Sequence, residues 1–324
     1  MKRIGAIALI LAVSALFTAA LPAGETNWPQ RSVEFVVPAN PGGDTDINLR
    51  VFLKYLEKEL GQPMVVVNMA GAAGAVGMNN VRQARADGYK AVFYHSGALI
   101  AKIMDFIDFD VVDAFEIAAM PVIDKSNCFA SNAKAPFNNI KELVDAAKAA
   151  PETISFGTES GSFTHLHILA LEAASGAKFN IVDAGTAAEK TTALLAGRID
   201  VIGTQYGLMY DYIRDNQFKC VGILSDQKLA GAPDAPTFAE SGYDLVFDKF
   251  FYIGFPKGTD RAIIQKLNEA SKRVSANPDY IRECEQNFVN SNHFTPEESI
   301  AYIKEQDVLY RKYEEAMIGG EVKK

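Results

Sequence analysis

The segment Val33-Glu34-Phe35-Val36-Val37-Pro38-Ala39-Asn40-Pro41-Gly42-Gly43-Asp44-Thr45-Asp46 sets the architecture. Its apolar, β-branched start reads as a strand that stops at Pro38, which has no N–H to continue a ladder. From Asp44 onward, Leu49, Phe52, Leu53, Leu56 and Leu60 fall at helical spacing until Gly61 ends the pattern. Next come a strand at Met64–Val67, a Gly/Ala-rich loop, a helix reaching about Ala86, a turn at Asp87-Gly88 and a strand at Ala91–Tyr94. Strand–helix–strand units at this spacing predict a parallel sheet with crossover helices.

The layout recurs downstream. Ile140, Leu143, Val144 and Ala147 mark a helix that ends near Pro151. A strand at Thr153–Phe156 leads to a helix over Ser162–Ser175, closed by Gly176. Lys178–Val182 is a strand, and Thr186–Ala196 a helix opening on the capping box Thr186…Glu189. Strands follow at Ile199–Ile202 and Cys220–Leu224. The last third holds an apolar strand, Phe250–Phe255, and helices from Thr259, Pro278 and Thr295. The last of these has Thr295 and Glu298 as a capping box around Pro296. The expected fold class is α/β, with two lobes joined by crossings near 122–126 and 243–250. Two crossings make a hinge, which suits closure around a ligand. The expected division is 24–122 plus 245–324 for lobe 1 and 123–244 for lobe 2.

The 324 residues are 48% hydrophobic and 22% charged, which fits a globular chain and argues against disordered or coiled-coil classes. Met1-Lys2-Arg3 followed by the uncharged run Ile4–Phe17 and small residues to Ala23 reads as a signal peptide over 1–23. Its loss takes the formal net charge from −8 to −10, which excludes the basic footprint of a nucleic-acid binder. The mature chain is expected in the periplasm. Cys128, Cys220 and Cys284 lack metal or redox spacing and read as small buried hydrophobes, with one bridge plus a free thiol as the alternative.

Four loops carry the candidate chemistry. In the first, Ala39 to Asp46, Gly42 and Gly43 permit close backbone approach, and the helix-start amides favour an anion. The competing reading is a turn capped by Thr45 or by Asp44 or Asp46. The second, Gly71-Ala72-Ala73-Gly74-Ala75-Val76-Gly77, lacks the dinucleotide spacing and any Gly-Lys-Ser/Thr, so it reads as a further lining of the cleft or as close helix–sheet packing. The third, Gly157-Thr158-Glu159-Ser160-Gly161-Ser162-Phe163-Thr164-His165, repeats the design of the first in the other lobe. His165 and His167 are two apart and cannot chelate one metal. His165 reads as orienting a loop or a ligand oxygen, or as a partly exposed polar residue. The fourth is Asp183-Ala184-Gly185, where Asp183 is structural or meets a ligand ammonium or hydroxyl. Thr204-Gln205-Tyr206 follows a strand end and is placed at the cleft. Phe247, Phe250, Phe251, Tyr252 and Phe255 read as core.

An ordered series of segments resembles the solute-binding receptors of tripartite tricarboxylate transporters, the Bug family. Those segments are Trp28-Pro29, Pro41-Gly42-Gly43-Asp44-Thr45-Asp46 with Arg50, Leu60-Gly61-Gln62-Pro63 and Ala86-Asp87-Gly88-Tyr89. They continue with Ser155-Phe156-Gly157, Leu194 to Asp200 and Ala235-Pro236-Thr237-Phe238. The resemblance spans Trp28 to about Tyr313. It implies a type II periplasmic-binding-protein fold, a two-lobe Venus flytrap whose helix-start loops hold a carboxylate. The resemblance places the ligand on Ala39, Gly42, Gly43, Asp44, Thr45, Asp46, Gly71, Ala73, Gly74, Thr158, Glu159, Ser160, Gly161, Ser162, Thr164, His165, Asp183, Ala184 and Gly185; Ser96 and Gln205 are further expected ligand-binding residues beside these loops. No catalytic residue, cofactor or metal is implied.

The chain departs from the family at Asp183-Ala184, where many members carry an aromatic residue, and at Glu159. Extra acids disfavour a polycarboxylate such as citrate and suit a ligand with an amino group or donating hydroxyls. The expected ligand is a dicarboxylate, hydroxy acid or amino acid, and the expected partners are large and small membrane transporter subunits. The alternatives are a secreted hydrolase using Ser160 or Ser162 with His165, and a sensing module for a signalling receptor.

Overall fold

The structure, a computed structural model, describes residues 26–319; the leader reading for 1–23 lies outside the described residues. The strands are β1 (Val33–Val37), β2 (Met64–Asn68), β3 (Lys90–His95), β4 (Phe115–Asp124), β5 (Asn127–Asn132), β6 (Ser155–Thr158), β7 (Asn180–Asp183), β8 (Val201–Gln205), β9 (Phe218–Ile223), β10 (Lys249–Pro256) and β11 (Asn290–Ser291). The helices are α1 (Asp44–Leu60), α2 (Ala75–Arg82), α3 (Gly97–Ile103), α4 (Val111–Ala114), α5 (Ile140–Ala149) and α6 (Phe163–Ser175). They continue with α7 (Ala187–Leu195), α8 (Tyr206–Arg214), α9 (Arg261–Ser275), α10 (Pro278–Gln286), α11 (Pro296–Arg311) and α12 (Glu314–Gly319).

Two sheets form, in strand orders β11-β4-β10-β3-β1-β2 and β7-β6-β8-β5-β9. The parallel cores β3-β1-β2 and β7-β6-β8 match the strand–helix–strand reading. Antiparallel strands extend them: β10 lies between β3 and β4, and β5 between β8 and β9. The chain enters the second sheet between β4 and β5 and returns to the first through β10. A third contact was not foreseen, because α12 packs on both α6 and α3.

Local chemistry explains most boundaries. Gly61 and Gly176 close α1 and α6 in the left-handed conformation. Thr186 with Glu189 and Thr295 with Glu298 form the two capping boxes. The sequence reading did not include β5, or β4, where Pro121 interrupts the apolar run. A register irregularity against β10 accommodates that segment. β6 runs two residues past Phe156, because parallel pairing with β7 holds Gly157 and Thr158 extended despite weak strand propensity. α2 stops at Arg82, short of Ala86.

The aromatic run is core: Phe247, Phe250, Phe251, Tyr252 and Phe255 are all buried. Cys128, Cys220 and Cys284 are buried free thiols. No helix of the described residues is long and apolar enough to cross a membrane.

Candidate ligand-binding site between the lobes

Each parallel core has one point where strand order reverses. β1 leads through α1 to β2, and the chain then returns over β1 through α2 to β3. α1 packs with Phe35 and Val37 on one sheet face, while α2 packs with Val36 and Val92 on the other. The reversal therefore falls between β1 and β3. The second sheet repeats it between β6 and β8, with α6 and α7 on opposite faces. Crevices beyond the carboxyl ends of strands at such reversals are where open α/β sheets bind ligands.

At the first reversal, Gly43 precedes α1 with no side-chain cap; the Thr45 amide donates to the Asp44 carboxylate, and the other amides of the first turn have no intrahelical acceptor. Asp46 turns back: its carboxylate accepts from the Gly42 amide at 3.0 Å, Arg50 Nε at 2.9 Å and Asn68 Nδ2 at 3.0 Å. Burial pushes its pKa up, but these partners more than offset that and hold it low. Asp44 faces the cleft and pairs with Lys249 Nζ at 2.5 Å. Burial raises its pKa, yet the Lys249 charge and hydrogen bond bring it below the ordinary value. His95 Nδ1 accepts the Gly97 amide at 2.8 Å, so the proton of the neutral ring sits on Nε2. Burial and the Lys249 charge keep that ring neutral. The hydroxyl of Thr45 is buried without a partner among the described residues.

The neighbouring 71–74 turn holds four successive positive φ angles: Gly71 at +130°, Ala72 at +46°, Ala73 at +49° and Gly74 at +89°. Two alanines there mark a strained backbone held by its surroundings. Tyr94 Oη donates to the Ala73 carbonyl at 3.0 Å, and a Cβ on Gly74 would lie 2.5 Å from the Tyr94 ring.

The second reversal is built from hydroxyls. Thr158 Oγ1 lies 2.8 Å from Thr164 Oγ1 and 3.3 Å from Ser162 Oγ, and Ser162 is 3.0 Å from Thr164. Ser162 also caps α6 by accepting from the His165 amide. Lys190 reaches the same point from α7, donating to the Gly203 carbonyl at 2.9 Å and to Thr164 Oγ1 at 3.4 Å. It is only 6% exposed. Glu159 is exposed, and its pKa is raised by desolvation. Ser160 donates to Asp183 at 2.7 Å, and Asp183 also accepts from the Gly185 amide at 3.1 Å. The fourth loop is therefore tied to the third.

The two ends meet. Gln205 Nε2 donates to Asp44 Oδ2 at 3.0 Å, across from one lobe to the other. Phe106 and Met104, which follow α3, lie against Gly161, just ahead of α6. Away from the reversals, Phe288, which follows α10, packs on Tyr206 and Tyr210 of α8, ring centroids 5.0 and 5.1 Å away.

Several expectations change. Neither Thr45 nor an Asp is the N-cap of α1; Gly43 is, and Asp46 reaches the Gly42 amide from inside the helix. Asp44 accepts from the Thr45 amide and also pairs with Lys249 and Gln205. His165 is 1% exposed, not a surface residue, and orients the loop by accepting the Gly161 amide at Nδ1. Among the described residues neither Ser160 nor Ser162 bonds a histidine ring: Ser160 bonds Asp183 and Ser162 caps a helix, so the hydrolase reading loses its nucleophile–base contact. Gln205 reaches the cleft, whereas Tyr206 packs with Cys128 and Cys220.

Four residues escaped the sequence reading: His95, Asp124, Lys190 and Lys249. None sits in a motif. Lys190 left one trace, standing four residues before Leu194 and so on the buried face of α7. Asp124 is fully buried, holds Ser126 N at 2.7 Å and Oγ at 2.6 Å, and is pushed up by burial to about 6.

Residues 49–312 match the model of the tripartite tricarboxylate transporter family receptor. The chain is 31% identical over 268 residues to protein BugT of Bordetella pertussis, covering 80% of this chain and 82% of that one. The structure of periplasmic binding protein BugD superposes with a TM-score of 0.80 at 26% identity, over 91% of this chain and 100% of that one. MatC from Rhodopseudomonas palustris, solved with bound malate, shares the fold at a TM-score of 0.79 and 22% identity, over 89% and 100% of the two chains. Its α/β fold is that of periplasmic binding proteins, and the chain belongs to the tripartite tricarboxylate transporter receptor family.

Proposed function

We propose that the chain is an exported receptor that captures a small organic carboxylate in the cleft between its lobes and delivers it to the large and small subunits of a membrane transporter. Residues 24–122 with 245–324 would move against 123–244 about the two crossings, and the leader would be removed in the periplasm. The observation that carries this is the meeting of two strand-order reversals, one per sheet, linked by Gln205 and Asp44. The first presents uncapped helix-start amides, which suit a carboxylate. The malate held by MatC in the same fold supports a carboxylate ligand. Binding needs complementary donors and closure, with no bond made or broken.

Gly43→Trp tests the assignment. Gly43 has an ordinary φ of −77°, and a Cβ there would find its nearest atom 3.5 Å away, so the backbone accepts a side chain. The indole would fill the mouth of the amide cradle. Wild type should gain thermal stability with carboxylates and the variant should gain none, at an unchanged unliganded melting temperature. Equal ligand shifts in both would overturn the first-loop assignment.

A further inference from the structure

Lys190 stands out among the charged groups of the cleft. Lys249 has Asp44, Arg50 has Asp46, and Asp183 is held by Ser160 and the Gly185 amide. Lys190 is as deeply buried as Lys249, yet no carboxylate of the described residues forms an ion pair with it. An ammonium has three N–H donors. Two go to Gly203 O and Thr164 Oγ1, both neutral. The charges acting on it at longer range are Glu159, Asp44 and Asp183, opposed by Lys249. Burial pushes its pKa down to about 8 against the pull of Glu159, so the amine is still mostly protonated at neutral pH.

A buried cation without a partner is costly unless an anion arrives. This one sits where strand order reverses in lobe 2, among the hydroxyls of Thr158, Ser162 and Thr164, which can donate to the same oxyanion. We infer that Lys190 is the specificity-determining residue of lobe 2, reading a second negative group on a ligand whose first carboxylate rests on the α1 amides. The preferred ligand is then a small dicarboxylate over its monoanionic counterpart. This rests on the carboxylate-receptor reading above. It also revises the weight given to the acids of the cleft: Asp44 and Asp183 are already engaged, which leaves Glu159 as the acid that competes for Lys190.

Calorimetric titration with matched probes tests it: malate against malamate, and α,ω-dicarboxylates of four to eight carbons against their monomethyl esters. Wild type should prefer the dianion at least about tenfold, the worth of one charge-assisted hydrogen bond. Lys190→Gln should weaken the dianions about ten- to hundredfold and the monoanions less than about threefold. Lys190→Arg should retain most of the preference, and Glu159→Gln should tighten dianions severalfold by removing the competing carboxylate. The wild-type preference stands as a test even if Lys190→Gln misfolds. Equal affinity of wild type for diacid and ester, or parallel losses on both in Lys190→Gln, overturns the role of Lys190 alone. No binding of any probe by wild type removes the carboxylate reading and this inference with it.

Discussion

The two ends of the cleft share a topology and differ in their charge. At the β1/β3 end each acid is matched: Asp44 with Lys249, Asp46 with Arg50 and the Gly42 amide. At the β6/β8 end the fixed groups are hydroxyls, and the buried charge is a lysine held by neutral oxygens. A matched end is preorganised and keeps its shape without ligand. An end with an unmatched cation is completed by what it binds. One fold motif, used twice, thus supplies a rigid half and a selective half.

The largest expected effect breaks the matched end. Lys249 is 8% exposed and Asp44 21%, so Lys249→Met strands a largely desolvated carboxylate. Breaking such a pair from one side costs about 3 kcal/mol, at the low end of the buried range because Asp44 keeps some water. Asp44→Asn in the same chain should recover most of that loss. Lys190→Met at the other end strands no acid, and relief of desolvation offsets its lost hydrogen bonds. It should cost about 1 kcal/mol or less. Urea unfolding of the variants measures the contrast, and equal losses for Lys249→Met and Lys190→Met would erase it.

How much of this contrast was legible in the sequence follows from where each group sits. α1, its Gly61 stop and both capping boxes depend on neighbours within one or two turns, and the sequence showed them. The four site loops also follow from strand ends and helix starts. What could not be read was long-range pairing. Lys249 reaches Asp44 from 205 positions away and Gln205 reaches it across 161. Lys190 looks like one more helix lysine until β8 places the Gly203 carbonyl beneath it. Glu159 and Asp183 could be found from their loops, but whether either was already engaged could not.

Asp124 sharpens the comparison at the crossing itself, where it pairs in register with Lys249. Its pKa of about 6, against an ordinary 3.8, means that the folded chain keeps a proton which the unfolded chain releases. Stability attributable to this group therefore falls as pH rises from about 4 to about 6. Asp124→Asn removes the ionisation while its amide oxygen can still accept from the Ser126 amide. The variant should exceed wild type by up to about 3 kcal/mol at pH 7 and by nothing near pH 4. A pH-independent difference in urea unfolding would show that burial of Asp124 does not set this slope.

The smallest expected effect concerns the second place where the lobes touch. Phe288 holds a φ of +57°, a region that costs a non-glycine residue on the order of 1 kcal/mol. In return its ring reaches Tyr206 and Tyr210, and a Cβ on Gly231 would sit 2.8 Å from it. Aromatic contacts at this separation contribute about 0.5–1.5 kcal/mol each beyond the area they bury. They act only while the lobes are together, so they bias closure without touching a ligand. Phe288→Ala should leave the strand-order reversals intact and move the unliganded population toward the open form. Dicarboxylate affinity would then fall about three- to tenfold, because some of the binding free energy is used to restore closure. Small-angle scattering should show a larger radius without ligand and a wild-type radius at saturation. An unchanged radius together with unchanged affinity would mean that the polar link from Gln205 to Asp44, with the 104–106 contact on Gly161, holds the lobes together unaided.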